Sequence, residues 1–152
     1  MGPGYRHVAC CVEGSSASDA VIEAGTRLVE AREGTLTLLH VVPPPVAVLA
    51  LPAPDMSAVY ADAEAWLAER AEQVRATLTA AGSEAGVQTA LLEGHAGIAV
   101  CEWAAHHQAD LIVAASHRGL FDRALLGSFA GYVAYHAPCA VHLVRPAVTA
   151  GT

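Results

Sequence analysis

Lysine is absent from this chain of 152 residues, and all eight basic residues are arginine. A phosphate-binding P-loop of the Walker type needs its lysine, so that class of nucleotide hydrolase is excluded. Cationic charge is scarce as well: 15 acidic residues against 8 basic ones leave a formal net charge of −7. Nucleic acid is therefore excluded as a partner, because its backbone demands a concentrated basic face. No apolar run reaches the roughly 18 to 20 residues a membrane helix needs. The longest such stretch, Pro43 to Pro54, is interrupted by prolines. Met1-Gly2-Pro3-Gly4-Tyr5-Arg6 has no long apolar core behind its charge, so a cytoplasmic protein without a signal peptide is the expectation. Cys10, Cys11, Cys101 and Cys139 lack metal or redox spacing and read as small buried hydrophobes. Nor is a Gly-x-Gly-x-x-Gly fingerprint or a readable Ser-His-Asp arrangement present, which argues against NAD-linked and triad chemistry.

What the chain does contain is Ala, Val and Leu in alternating patterns, few aromatics, and a length that fits one domain. Val8 to Val12 reads as a first strand. The Ser15-Ser16-Ala17-Ser18 run supplies hydroxyl caps for a helix with its stripe at Ala17, Val21, Ala24, Leu28 and Ala31, stopped by Gly34. Thr35 to Val42 is a second strand ended by three prolines. Met56 to Ala81 follows as a long helix with apolar positions at Val59, Tyr60, Ala63, Trp66, Leu67, Val74 and Leu78. A strand at Val87 to Leu92 precedes a helix at Gly97 to Gln108, whose inner face takes in Val100, Cys101, Ala104 and His107. Leu111 to Ala115, a helix from about Gly127 to His136, and Ala140 to Val144 complete the series. Strands separated by helices of ten or more residues predict right-handed crossovers, hence a three-layer α/β domain with a doubly wound parallel sheet of five strands.

The most informative run is Ala109-Asp110-Leu111-Ile112-Val113-Ala114-Ala115-Ser116-His117-Arg118-Gly119, followed by Leu125-Leu126-Gly127-Ser128-Phe129. A buried strand here delivers a short polar loop to a helix N-terminus, where unpaired N–H groups and the helix dipole attract anions. A phosphate-bearing ligand is the first hypothesis.

Together with Val8-Ala9-Cys10-Cys11-Val12-Glu13-Gly14-Ser15 and Leu38-Leu39-His40-Val41-Val42-Pro43, this run resembles the universal stress protein family, over roughly residues 5 to 146. The resemblance implies a Rossmann-like sheet, related to the adenine nucleotide alpha hydrolases, in the order 3-2-1-4-5. Its winding then reverses between strands one and four, and a crevice opens at their carboxyl ends. It further implies ATP or a related adenine nucleotide with magnesium, and a homodimer formed through the last strand, Ala140 to Val144. The matching positions are Cys11, Val12, Glu13, Gly14 and Ser15 after the first strand, Val41 against the adenine, and Ala114, Ala115, Ser116, His117, Arg118 and Gly119 in the phosphate loop. Gly127, Ser128 and Phe129 follow at the helix start.

The chain departs from that family pattern in two places. Nucleotide-binding members carry Gly, two residues, Gly, nine residues, then Gly with Ser or Thr. Counting back from Gly127 puts His117 at the second glycine and Ala114 at the first, while aligning by the strand puts Ala115 there. Either way a Cβ stands where backbone normally meets phosphate. Gly119, His117 and Arg118 offer partial compensation. Glu13 also replaces the usual Asp, although a carboxylate there still suits a ribose hydroxyl or a phosphate-bound cation.

Each candidate has a structural alternative. Glu13 also reads as an exposed acid favoured by the helix dipole, Gly14 as a residue needed for a tight turn, Ser15, Ser16 and Ser18 as caps, and Val41 as core. Pro43 to Pro54 reads as a linker or as a lid over the crevice. Glu102 and His106 could share a metal but lack a third ligand, and a surface pair is the plainer account. Among the histidines, His7, His40 and His142 lie in or beside strands, and His117 alone is placed for chemistry. Three functions follow: a dimeric stress-response protein that binds an adenine nucleotide without turning it over, a nucleotide-free interaction module of the same fold, and an adenylyl-transferring or electron-transfer-flavoprotein-like enzyme. The third lacks its Ser-Gly-Gly-x-Asp-Ser and His-x-Gly-His signatures.

Overall fold

A computed structural model describes residues 4–43, 55–116 and 127–145. Its elements run β1 (His7–Cys11), α1 (Ala17–Leu28), β2 (Thr35–Val42), α2 (Met56–Ala80), β3 (Gly86–Glu93), α3 (Ala96–His106), β4 (Leu111–Ala115), α4 (Ser128–His136) and β5 (Ala140–Val144). The five strands form one sheet in the order β3-β2-β1-β4-β5, every pairing parallel, as the resemblance implies.

Alternation along the strands sorts the core into two halves, because successive side chains leave opposite faces of a sheet. Val8, Cys10, Leu36, Leu38, Leu111 and Val113 go to one face, where α1 and α2 cover them with Val21, Leu67, Ala71, Val74 and Leu78. Ala9, Leu39 and Ile112 go to the other, packed against Val100, Cys101, Trp103 and Ala104 of α3 and Val133 of α4. Small side chains permit close approach of helix to sheet. At Gly25 of α1 an added Cβ would lie 2.3 Å from the Cys10 sulfur.

Several local expectations are corrected. Helix α1 stops at Leu28, well before Gly34, because Tyr5 N–H donates to Leu28 O and Glu30 N–H donates to Tyr5 O, each at 2.8 Å. Tertiary pairing with the segment entering β1 thus ends the helix, and Ala31 is exposed in the turn beyond. Gly34 instead permits a close backbone approach. An added Cβ there would stand 2.2 Å from Glu30 O, so the chain doubles back too tightly for any side chain. The N-cap of α1 is Ser16, whose side chain makes no capping bond. On α2, Val59 is 41% exposed and lies off the buried stripe. His107 is exposed at the end of α3, stacked 4.2 Å from Trp103, while Trp103 itself takes the buried position. The four cysteines are free, with Cys10 and Cys101 buried and Cys11 and Cys139 half-buried.

Candidate functional site

Where β1 ends, Val12 N–H donates to Leu39 O at 2.8 Å and carries the strand direction one residue further. The chain then turns into α1, and Ser18 fixes that turn from within. Its hydroxyl accepts from Glu13 N–H at 2.7 Å and donates to Glu13 O, so one side chain satisfies both backbone groups of the residue leaving the strand. Glu13, Gly14 and Ser15 are pushed outward and exposed. Ser15 Oγ donates to Glu13 Oε1 at 2.8 Å, which gives the carboxylate a held orientation at the rim. Gly14 needs neither a positive φ nor clearance, since nothing lies within 4 Å of a Cβ built there, so the tight-turn requirement expected of it is not found.

Beside this turn the carboxyl ends of β1, β2 and β4 enclose a cavity of about 390 Å³. Cys11, Val12, Glu13, Val41, Ala115 and Phe129 line it, and these are positions the sequence motifs single out. They come from four separate stretches of chain and meet only because β1 sits between β2 and β4. The remaining candidates lie elsewhere. Gly14 and Ser15 are beyond the rim, and Ala114 is fully buried in β4 beside Leu143 of β5. Ser116 is turned away toward β5, its N–H and hydroxyl both donating to Val144 O, at 2.9 and 3.3 Å. Gly127 is the N-cap of α4 with no side-chain capping bond, and Ser128 is exposed beside it. Phe129 in the first turn ties that helix start to the cavity wall. His117, Arg118 and Gly119 lie outside the described residues, as does the 44–54 segment read as lid or linker.

Not anticipated from the sequence are the inner wall and its polar member. Val21, Leu39 and Val100 close the cavity floor, and His40 stands in its side. His40 Nδ1 is 2.9 Å from Val12 O, and its ring meets Trp66 of α2 edge-on with centroids 5.5 Å apart. Adjacency to Val41 is the one sequence signal that pointed there. The lining is chiefly apolar, and burial pushes the Cys11 thiol up from its ordinary 9.0 to about 12, with neighbouring Cys101 adding to the effect. Cys11 is therefore a neutral wall group at physiological pH. Among the described residues no group of three His, Cys, Asp or Glu side chains comes together to hold a metal, and Glu102 and His106 are both exposed on α3. No described helix is long and apolar enough to cross a membrane.

A parallel sheet reversing its winding beside β1, with a cavity outside its carboxyl ends, defines a doubly wound α/β protein of the Rossmann-like class. The chain belongs to the universal stress protein family, whose model matches residues 4–145. Among solved structures it is similar to the universal stress protein UspA from Lactobacillus plantarum, at 24% identity over 95% of this chain and 100% of that one, with a TM-score of 0.61. A universal stress protein in complex with cAMP is likewise 24% identical, over 95% of this chain and 99% of that one, at a TM-score of 0.62. A family protein from Arabidopsis thaliana with AMP bound is 18% identical over 93% and 92% of the two chains, with a TM-score of 0.62. No curated protein matches the chain.

Proposed function

We propose that this chain is a single-domain, cytoplasmic universal stress protein that holds ATP or a related adenine nucleotide in the cavity between β1, β2 and β4, and that occupancy alters its contacts with partners. The carrying observation is the meeting of Val12, Glu13, Val41, Ala115 and Phe129 around one space of about 390 Å³. That volume falls within the roughly 300 to 1,000 Å³ usual for small-molecule sites. The cAMP and AMP complexes of similar proteins support the adenine part of the reading.

The residues fit such a ligand at both ends. Apolar walls suit a flat base, and the first-turn N–H groups of α4, which among the described residues no side chain caps, suit a phosphate drawn by the helix dipole. Glu13, oriented by Ser15, is the group that would hold a ribose hydroxyl or a magnesium ion. Titration with ATP and magnesium by calorimetry tests the reading, run beside a Gly127→Val, Ser128→Val double variant. Binding by the unsubstituted protein alone supports the site, and equal heats from both proteins overturn it.

Assembly belongs to the same proposal. β5 is an edge strand with Val141 and Leu143 half-buried, and a bare edge pairs readily with another chain. A twofold homodimer through Ala140–Val144 is expected. Sedimentation at micromolar concentration should give twice the 15.6 kDa of the chain, and monomer alone would reject it. A second reading, a nucleotide-free interaction module, has one observation in its favour: Ala114, at a position where nucleotide-binding relatives carry glycine, has its Cβ packed in the core.

A further inference from the structure

His40 stands in the cavity wall with one of its two nitrogens already engaged. The Val12 carbonyl 2.9 Å from Nδ1 can only accept, so Nδ1 carries the hydrogen. In the neutral ring Nε2 is then a lone-pair acceptor and nothing else. The ring is half-buried and braced edge-on by Trp66, with an interplanar angle of 62°, so its tautomer and its direction are both fixed before any ligand arrives. Among the described residues Nε2 has no hydrogen-bond partner. Ser18, another polar side chain of the wall, is occupied by the backbone of Glu13.

A fixed acceptor in an apolar wall favours a ligand edge that presents an N–H and penalises one that presents an oxygen, since the latter sets lone pair against lone pair. We infer that His40 is the base-selecting residue of this cavity: Nε2 accepts from the exocyclic amino group of an aminopurine, so that 6-amino bases are held and 6-oxo bases turned away. The inference rests on the proposed nucleotide reading and adds to it a side chain that distinguishes among purines.

The test measures binding of AMP, IMP and purine riboside 5′-monophosphate, which has hydrogen in place of the amino group, to the unsubstituted protein and to His40→Phe. Phenylalanine keeps a ring against Trp66 while removing both nitrogens, and unchanged far-UV circular dichroism checks its fold. The unsubstituted protein should prefer AMP over the other two by about tenfold or more, the worth of one well-placed hydrogen bond. His40→Phe should bind all three within about twofold. A preference for AMP that survives the substitution overturns the inference and leaves nucleotide binding standing. If the variant fails to fold, the nitrogen NMR signal of Nε2 in the unsubstituted protein decides: it should shift with AMP and stay in place with the 6-hydrogen analogue, and an unmoved signal with AMP overturns the inference. Failure of the unsubstituted protein to bind any of the three overturns this inference, and the nucleotide reading falls with it only where ATP with magnesium also fails to bind.

Discussion

At the amino ends of the strands a network of hydrogen bonds ties neighbouring elements together, whereas the carboxyl ends of β1, β2 and β4 surround a chiefly apolar cavity. Asp110 accepts from Arg6 N–H at 2.9 Å and His7 N–H at 2.8 Å, and its own N–H donates to His7 O at 3.0 Å. His7 adds a bond from Nδ1 to His107 O at 3.0 Å and a contact of 3.1 Å between Nε2 and Thr37 Oγ1. Gly86 N–H reaches Gly34 O, and Thr35 N–H reaches Arg6 O. Nothing comparable closes the other end among the described residues, where Val12, Ala115 and Phe129 stand around open space. If the cavity binds nucleotide as proposed, stability and binding belong to opposite ends of one sheet, and substitutions at the two ends should separate in their effects.

The largest effect is expected from Asp110→Ala, which strands two backbone donors at the closed end. Loss of about 3 kcal/mol, a fall of about 10 °C in Tm, should follow with nucleotide affinity unaltered. A drop under about 2 °C would show that this end is not held as described. Gly34→Ala comes next, at about 2 kcal/mol, because the new Cβ meets the Glu30 backbone, which has no rotamer to yield. Urea midpoints measure it.

Alkali tests the apolar character of the open end. The Cys11 thiol ionises near 9.0 when the chain is unfolded and near 12 when it is folded, so its contribution is complete below about pH 9 and is lost as pH rises toward 12. Stability should fall by about 1 kcal/mol per such thiol by pH 10, and Cys11→Ala should make the decline shallower. Cys10, raised by burial and by Cys11, adds to the slope. An identical decline in the variant would place the Cys11 sulfur in contact with water. The smallest effect belongs to Gly14→Ala: with open space around it and no positive φ, it should change stability by less than about 0.5 kcal/mol. A large loss there would break the contrast with Gly34.

The sheet was legible in the sequence because its strands are bounded by strong local signals. Pro43 closes β2, and the bounds of β2, β4 and β5 match those read from Thr35 to Val42, Leu111 to Ala115 and Ala140 to Val144. Legibility failed where a distant residue overrides a local rule. Ser18 reads as a cap, yet it bonds Glu13, and α1 ends on contacts with Tyr5 instead of at a glycine. The motif positions of β1, β2, β4 and α4 did converge on the cavity, since the order of parallel strands dictates it. His40 reads only as a strand histidine for the same reason that Ser18 reads as a cap: its meaning depends on Val12, 28 positions earlier, and on Trp66 in a helix.

Because Ser18 pins the β1–α1 turn from the inside, the side-chain positions of Gly14 and Ser16 are spared from holding its shape: a Cβ at Gly14 meets nothing within 4 Å, and the Ser16 hydroxyl makes no capping bond. Gly14 and Ser16 therefore offer a natural attachment point. A dye or short graft joined at either one would report from the doorway of the pocket without disturbing the register of the strand behind it.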